Sequence, residues 1–211
     1  MLGLGSSIVH GSPGGYVLID TYTSDFTGGA GDDSSTWSAY SNEGDAATLT
    51  TNASAAVSGP MSNDCLKIEW NSNQTAGSGL SSTLDGRTWE NGDKLVYSYL
   101  IYIAGDWEVA NETEVPLIQQ WGGSHLRAHD VLTGVTGGTI AQGQSSTYQW
   151  AIPRIPQDSV AGISGVANVQ GTPSGYASEF KIYNQNSASE PQDGATMYIK
   201  DFEIKTYRRF G

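Results

Sequence analysis

The chain has 211 residues, with 22 acidic and 10 basic side chains and a formal net charge of −12. Because a field of this sign repels nucleic acid and anionic lipid, neither a nucleic acid nor a membrane surface is an expected partner. No segment approaches the roughly 18 consecutive apolar residues of a membrane helix.

The first predicted element is an N-terminal arm over residues 1–15, in which Gly and Ser dominate. It lacks the basic start and the continuous apolar stretch of a secretory signal peptide. Four apolar side chains cannot form a core, but an extended backbone could insert them singly into a neighbouring subunit or add a strand to its edge. Those four assembly residues are Leu2, Leu4, Ile8 and Val9.

Residues 16–211 are predicted to form one domain, since a β-sandwich can reach roughly 200–250 residues. Short β-rich runs alternate with clusters of Gly, Asn, Asp, Ser and Pro, and helical periodicity is nearly absent. The predicted strands are Tyr16–Tyr22, Thr36–Ser41, Ala47–Thr51, Cys65–Trp70, Leu80–Leu84, Leu95–Ile103, Val115–Trp121, Leu126–Leu132, Tyr148–Ile152, Ala161–Val169, Ser178–Tyr183 and Met197–Tyr207. This pattern predicts an all-β fold, a two-sheet antiparallel sandwich.

Three strands carry more specific predictions. Cys65, the single cysteine, opens an apolar strand and is predicted to be a small buried residue. Leu95–Ile103 is apolar or aromatic at nearly every position, which indicates a central strand covered on both faces. Along Met197–Tyr207, Phe202 and Ile204 share one face and alternate with charged residues, so one face is expected in the core.

The chain carries no nucleophile elbow, phosphate-binding loop or metalloprotease motif. His125 and His129 are four residues apart, but on a predicted strand they are interpreted as ordinary polar residues rather than a metal pair.

Two of the abundant carboxylates could form an acid and base pair for catalysis. Solvated loop acids are the expected interpretation, and no catalytic residue is assigned.

Aromatic residues are numerous, with six Trp and eleven Tyr. Most should be core residues, but an indole in a loop, such as Trp107 after Gly105 and Asp106, is harder to bury. Exposed rings beside amides and carboxylates suit sugar binding, because the ring stacks on the apolar face of the sugar. Trp107 and Trp121 are the candidate glycan-binding residues. Exposed rings suit a protein interface equally well.

Several landmarks together resemble the jelly-roll carbohydrate-binding modules found beside xylanases and β-glucanases. They are Asp25-Phe26-Thr27, Trp37-Ser38-Ala39-Tyr40, Ala47-Thr48-Leu49-Thr50, Cys65-Leu66-Lys67-Ile68, Leu95-Val96-Tyr97-Ser98-Tyr99 and Tyr198-Ile199-Lys200-Asp201-Phe202-Glu203-Ile204. The resemblance covers roughly Tyr22 to Tyr207 and implies a jelly-roll fold. It also implies a structural calcium shared by the first-strand and last-strand acids, here Asp25 and Asp201. Thr27 stands where the family usually has Glu.

The N-terminus, MLGLG followed by Ser, is similar in style to virion proteins of tailed bacteriophages. Three hypotheses follow. The first is a non-enzymatic virion structural protein, a capsid decoration or tail-associated protein on the virion exterior, where its acidity is suitable. It would be present in many copies and contact other capsid or tail proteins. The second is a free carbohydrate-binding module, secreted or at a cell surface, and the third is a small jelly-roll enzyme acting on glycans.

Overall fold

The computed structural model describes residues 15–29, 36–41, 47–74, 77–107, 109, 113–122, 126–136, 139–144, 149–171, 179–184 and 190–211, of which 126–136, 139–144, 149–151 and 171 are described by backbone alone. The predicted arm therefore lies outside the described residues, except for Gly15. In the part that is described, no helix is long and apolar enough to cross a membrane. Two single 3-10 turns, Pro60–Ser62 and Leu84–Gly86, lie wholly within the described residues.

The described part of the chain contains thirteen strands. They are β1 (Tyr16–Ser24), β2 (Trp37–Ser41), β3 (Ala47–Ala53), β4 (Cys65–Trp70), β5 (Ser78–Ser82), β6 (Lys94–Ile103), β7 (Glu114–Trp121), β8 (Leu126–Thr136), β9 (Thr139–Gln144), β10 (Gln149–Pro156), β11 (Val160–Gly171), β12 (Phe180–Asn184) and β13 (Thr196–Arg209). Each strand except β9 coincides with a predicted strand, with small shifts at the ends.

The strands form two antiparallel sheets. Sheet A has the order β3-β4-β13-β6-β11-β8, and β1 also pairs with β13. Sheet B has the order β2-β5-β12-β7-β10-β9. Strands that follow one another in the chain are often in opposite sheets, as in a jelly-roll sandwich. The predicted fold class, an all-β antiparallel sandwich, is confirmed.

The core lies between the sheets and has an aromatic centre. Trp37 from sheet B meets Phe202 from sheet A edge to face, with ring centroids 4.9 Å apart at 88°. Phe180 of β12 lies 5.0 Å from Phe202 and 4.5 Å from Trp121. Such tilted ring pairs stabilise the sandwich beyond the area they bury.

Strand β6 is central, as predicted, because it pairs with both β13 and β11. The prediction that both of its faces are covered is wrong for its first half, where Val96 is 38% exposed and Ser98 also faces solvent. The second half is covered because Met61, in the 3-10 turn before β4, belongs to a buried cluster with Tyr102 on the outer face of sheet A.

Cys65 belongs to this outer cluster and is fully buried, which confirms the prediction. Its burial raises the pKa of the thiol above the ordinary value of 9.0. A thiol in this position is therefore protonated at neutral pH and behaves as a small apolar group.

Candidate functional site

The outer face of sheet B carries two half-buried tyrosines in neighbouring positions. On β12, Phe180 and Ile182 are buried while Lys181 and Tyr183 alternate with them and face outward. In register, Gly79 of β5 pairs with Tyr40 of β2 on one side and with Tyr183 on the other. The two tyrosines therefore flank a position that has no side chain.

The absence of a side chain at Gly79 allows close packing. A Cβ atom there would lie 2.1 Å from the carbonyl oxygen of Ile182 and 2.6 Å from the Cα of Tyr183. With glycine in place, the rings of Tyr40 and Tyr183 meet with centroids 5.3 Å apart and an interplanar angle of 61°. Only glycine fits this approach of β5 to β12 without moving the backbone.

Polar groups hold the two rings in place. The Tyr183 hydroxyl donates a hydrogen bond to Oε1 of Gln120 on β7, at 3.0 Å. The Lys181 Nζ atom lies 4.6 Å from the centroid of the Tyr40 ring and 3.0 Å from Oε1 of Glu179. A cation in this position is attracted by the electron density of the ring face. We call Tyr40, Gln120, Lys181 and Tyr183 the tyrosine face.

The surface beside the tyrosine face is also polar. Ser38 of β2 and Ser81 of β5 are paired in register, and their hydroxyl oxygens are 3.0 Å apart. Lys181 is the partner of Ser81 on the next strand. The sheet therefore combines aromatic rings with hydroxyl, amide and ammonium groups, the mixture that orients a ligand through a few polar contacts on an apolar surface.

The two predicted glycan-binding tryptophans are not part of this surface, and that prediction is corrected. Trp107 and Trp121 are each 3% exposed and lie in the core. Trp107 packs against Trp70 with centroids 4.9 Å apart, and its indole N–H donates to the carbonyl of Thr196 at 3.1 Å. A ring enclosed on both sides cannot stack against a sugar.

The two predicted calcium ligands lie at the end of the β1–β13 pairing. Ser24 pairs with Phe202, so Asp25 and Asp201 occupy the next positions along the two strands. The carboxylate Oδ1 of Asp25 accepts hydrogen bonds from the backbone N–H and the hydroxyl of Thr27, at 3.2 and 3.1 Å. Within the described residues, no three His, Cys, Asp or Glu side chains come together as a metal site. If a calcium ion binds between these two acids, its remaining oxygen ligands would be backbone carbonyls or water.

The other candidate groups fall largely outside the described residues. His125 is not described, and His129 lies in β8 with its backbone alone described. The arm residues Leu2, Leu4, Ile8 and Val9 lie outside the described residues.

Sequence reasoning missed the tyrosine face. The alternation Phe180-Lys181-Ile182-Tyr183 does place Lys181 and Tyr183 on one face. The chain gives no sign that Tyr40 stands beside them, because β2 and β12 are far apart in sequence and meet only through β5. The register across Gly79 is therefore the feature that creates the site.

The sequence matches no protein-family model and no curated protein. Among solved structures, the chain is similar to the CBM22-1 xylan-binding domain of Paenibacillus barcinonensis Xyn10C. The identity is 13% and the TM-score 0.50, over 93% of this chain and 97% of that domain. It also matches a family 11 carbohydrate-binding module from Clostridium thermocellum, in complex with a β-1,3-1,4-mixed-linked tetrasaccharide. That match has 14% identity and a TM-score of 0.40 over 92% and 96% of the two chains.

A third match is the arabinose-bound α-L-arabinofuranosidase MgGH51, at 14% identity and a TM-score of 0.48, with 90% of this chain covered. The chain spans about a quarter of that enzyme, 26% of its length. The likeness to the xylan-binding domain extends over nearly the whole of both chains. The protein therefore has a β-sandwich fold like that of a carbohydrate-binding module.

Proposed function

We propose that the protein is a non-catalytic carbohydrate-binding module and that the tyrosine face binds a glycan chain. The observation that carries this proposal is the Tyr40–Tyr183 pair on the outer face of sheet B, held by Lys181 and Gln120. A module of this kind would be secreted or displayed at a cell surface, where polysaccharides are accessible.

The geometry of the two rings favours a chain over a single sugar. Because the rings are inclined by 61°, one face of a sugar ring cannot stack on both at once. Each tyrosine would contact a different unit of an oligosaccharide, and the Gln120 amide and the Lys181 ammonium group would bind hydroxyl oxygens between them. Side chains already fixed by mutual contacts lose little conformational freedom on binding, which favours affinity.

Affinity gel electrophoresis tests the proposal. Xylan is the first polysaccharide to use, because the similar domain from Paenibacillus barcinonensis is described as xylan-binding. A panel of other neutral polysaccharides should accompany it. We expect retardation by at least one of them, and Tyr40→Ala or Tyr183→Ala should weaken binding about tenfold or more, as for an aromatic residue central to an interface.

Tyr207→Ala is the matched control, because Tyr207 is a half-buried tyrosine on β13 in the opposite sheet. It should bind like the unmodified protein. Equal loss of binding in all three variants, with folding intact, would exclude the tyrosine face. Absence of binding to every polysaccharide would exclude the proposed function.

A multi-copy structural role, as in a virion decoration or tail-associated protein, is the second candidate function. The observation that favours it is a run of four exposed apolar residues at the start of β1, an unusual feature for a protein that acts alone. Its partners would be further copies of the chain and other virion proteins. Glycan binding by sheet B and assembly through β1 involve different surfaces and are compatible.

A further inference from the structure

Strand β1 presents an uncovered apolar edge. Tyr16, Val17, Leu18 and Ile19 are 39% to 52% exposed, and Phe210 beside them is 55% exposed. Among the described strands β1 pairs with β13 alone, so its other edge has no strand partner within the described residues. An exposed, apolar edge of this kind readily pairs with another strand, and proteins normally cover it.

Successive residues of the strand are exposed on both faces. Leu18 pairs with Tyr207, whereas Val17 pairs with Arg208, so Leu18 and Val17 point to opposite sides of sheet A. A helix or a loop lying on one face would cover only half of these side chains. An added β-strand covers the open edge and offers side chains to both faces at once.

We propose that the free edge of β1 binds the N-terminal segment, residues 1–14, of a second copy of this chain. The segment joins the domain at Gly15, immediately before the apolar edge, so each copy carries one donor beside one acceptor. Ile8 and Val9 are adjacent, and in an extended strand they point to opposite faces. They match the two-sided exposure of β1.

The sequence between the segment and β1 favours a second copy over the same chain. Folding back onto its own β1 would need a reversal of the chain within residues 10–15, which contain Pro13. The two-residue hairpin turns that suit strand twist need a positive φ at the first central position. Proline is fixed near −65° and restricts the preceding residue to extended conformations, so Pro13 disfavours the tightest of these reversals.

Charge also favours contact between copies at this edge. The chain has a net charge of −12, which opposes self-association at most of its surface. Residues 1–14 contain no Asp, Glu, Lys or Arg. Near β1, by contrast, basic and acidic side chains balance, so repulsion between copies is weaker at this edge. The five basic residues are Arg87, Lys94, Lys205, Arg208 and Arg209, and the acids that pair with them are Asp20, Asp85, Glu90, Asp93 and Glu203.

Disulfide trapping between two differently tagged chains tests the proposal. One chain carries Ile8→Cys or Val9→Cys, and the other carries Val17→Cys or Leu18→Cys. The native Cys65 is fully buried and stays in place. After mild oxidation, at least one of the four combinations should give a mixed-disulfide dimer in high yield. Thr50→Cys is the matched acceptor control, since Thr50 is exposed on β3, another edge strand of sheet A.

Three outcomes would overturn the proposal. The first is no mixed dimer in any combination, and the second is equal trapping by the Thr50→Cys control. The third is a chain carrying both cysteines that closes on itself as a monomer at high dilution, which would identify its own segment as the occupant. Deleting residues 1–14 should also abolish self-association in light scattering, while the circular dichroism spectrum still shows a folded β protein. The proposal holds whether or not the tyrosine face binds a glycan.

Discussion

Gln119 is a polar residue in the centre of the core, with no exposed surface. Its Oε1 accepts a hydrogen bond from the Tyr99 hydroxyl, and its Nε2 donates to the Tyr97 hydroxyl. Gln119 belongs to sheet B and both tyrosines belong to β6 of sheet A. This amide therefore links the two sheets through hydrogen bonds in an otherwise apolar layer, where polar groups without partners are costly.

Replacing Gln119 by leucine should destabilise the sandwich. Gln119→Leu keeps a similar volume but removes the amide partner of both tyrosine hydroxyls, so the free energy of unfolding should fall by about 2 kcal/mol. Urea denaturation followed by tryptophan fluorescence measures the change. Gln120→Leu, the outward-facing neighbour, is the control and should change stability by less than about 0.5 kcal/mol. Equal effects of the two substitutions would contradict the inter-sheet link.

Individual side-chain environments were the least predictable feature of this chain. Trp107 follows Gly105 and Asp106 in a loop, which suggested an exposed ring. It is buried because Trp70 and the carbonyl of Thr196, both distant in sequence, supply a packing partner and a hydrogen-bond acceptor. Such long-range partners leave no trace in the local pattern.

At the scale of strands, Gly79 determines the spacing of β5 and β12. Gly79→Ala would place a Cβ against the backbone of Ile182 and Tyr183, so the strands must separate. We expect a loss of about 1–3 kcal/mol in unfolding free energy from this overpacking. Glycan binding should weaken as well, because the two tyrosines move apart.

The control for that prediction is Ser81→Ala, on the same strand and beside the same face. It leaves the approach of β5 to β12 unchanged and removes only the Ser38 contact. Thermal melts and affinity gels on both variants give the comparison. If Gly79→Ala has normal stability and normal binding, the close approach at this position has no role in the site.

Strand positions were largely predictable, because alternation and turn residues are local. The exception is β9, Thr139–Gln144, which is polar, contains a glycine and was not among the predicted strands. It is a strand because β10 supplies a partner for each residue from Thr139 to Gln144. Sheet order and register, which bring Tyr40 to Tyr183, depend on contacts between distant segments and could not be predicted.

For the whole molecule, a calcium ion between Asp25 and Asp201 would connect the first and last strands of the domain. We expect that a chelator lowers the thermal midpoint by several degrees, since a ligand that binds only the folded state stabilises it. Asp201→Asn should lose this sensitivity, while Asp85→Asn, an exposed acid away from the site, should keep it. An unchanged midpoint with chelator in the unmodified protein would exclude a stabilising ion.

The all-β sandwich followed from properties of the whole chain: dense turn residues, missing helical periodicity and one central apolar strand. The location of the tyrosine face could not be predicted from the sequence, because the neighbours on an outer face are defined only by the register of the strands.

The most direct test of the glycan-binding surface is an amide NMR titration with oligosaccharides from whichever polysaccharide retards the protein. The predicted shift changes concentrate at Tyr40, Gln120, Lys181 and Tyr183, on β2, β7 and β12 of sheet B. The outer face of sheet A, including Glu203 and Tyr207 on β13, should remain unchanged. Saturable changes confined to sheet A, with none at the four residues of the tyrosine face, would contradict the account.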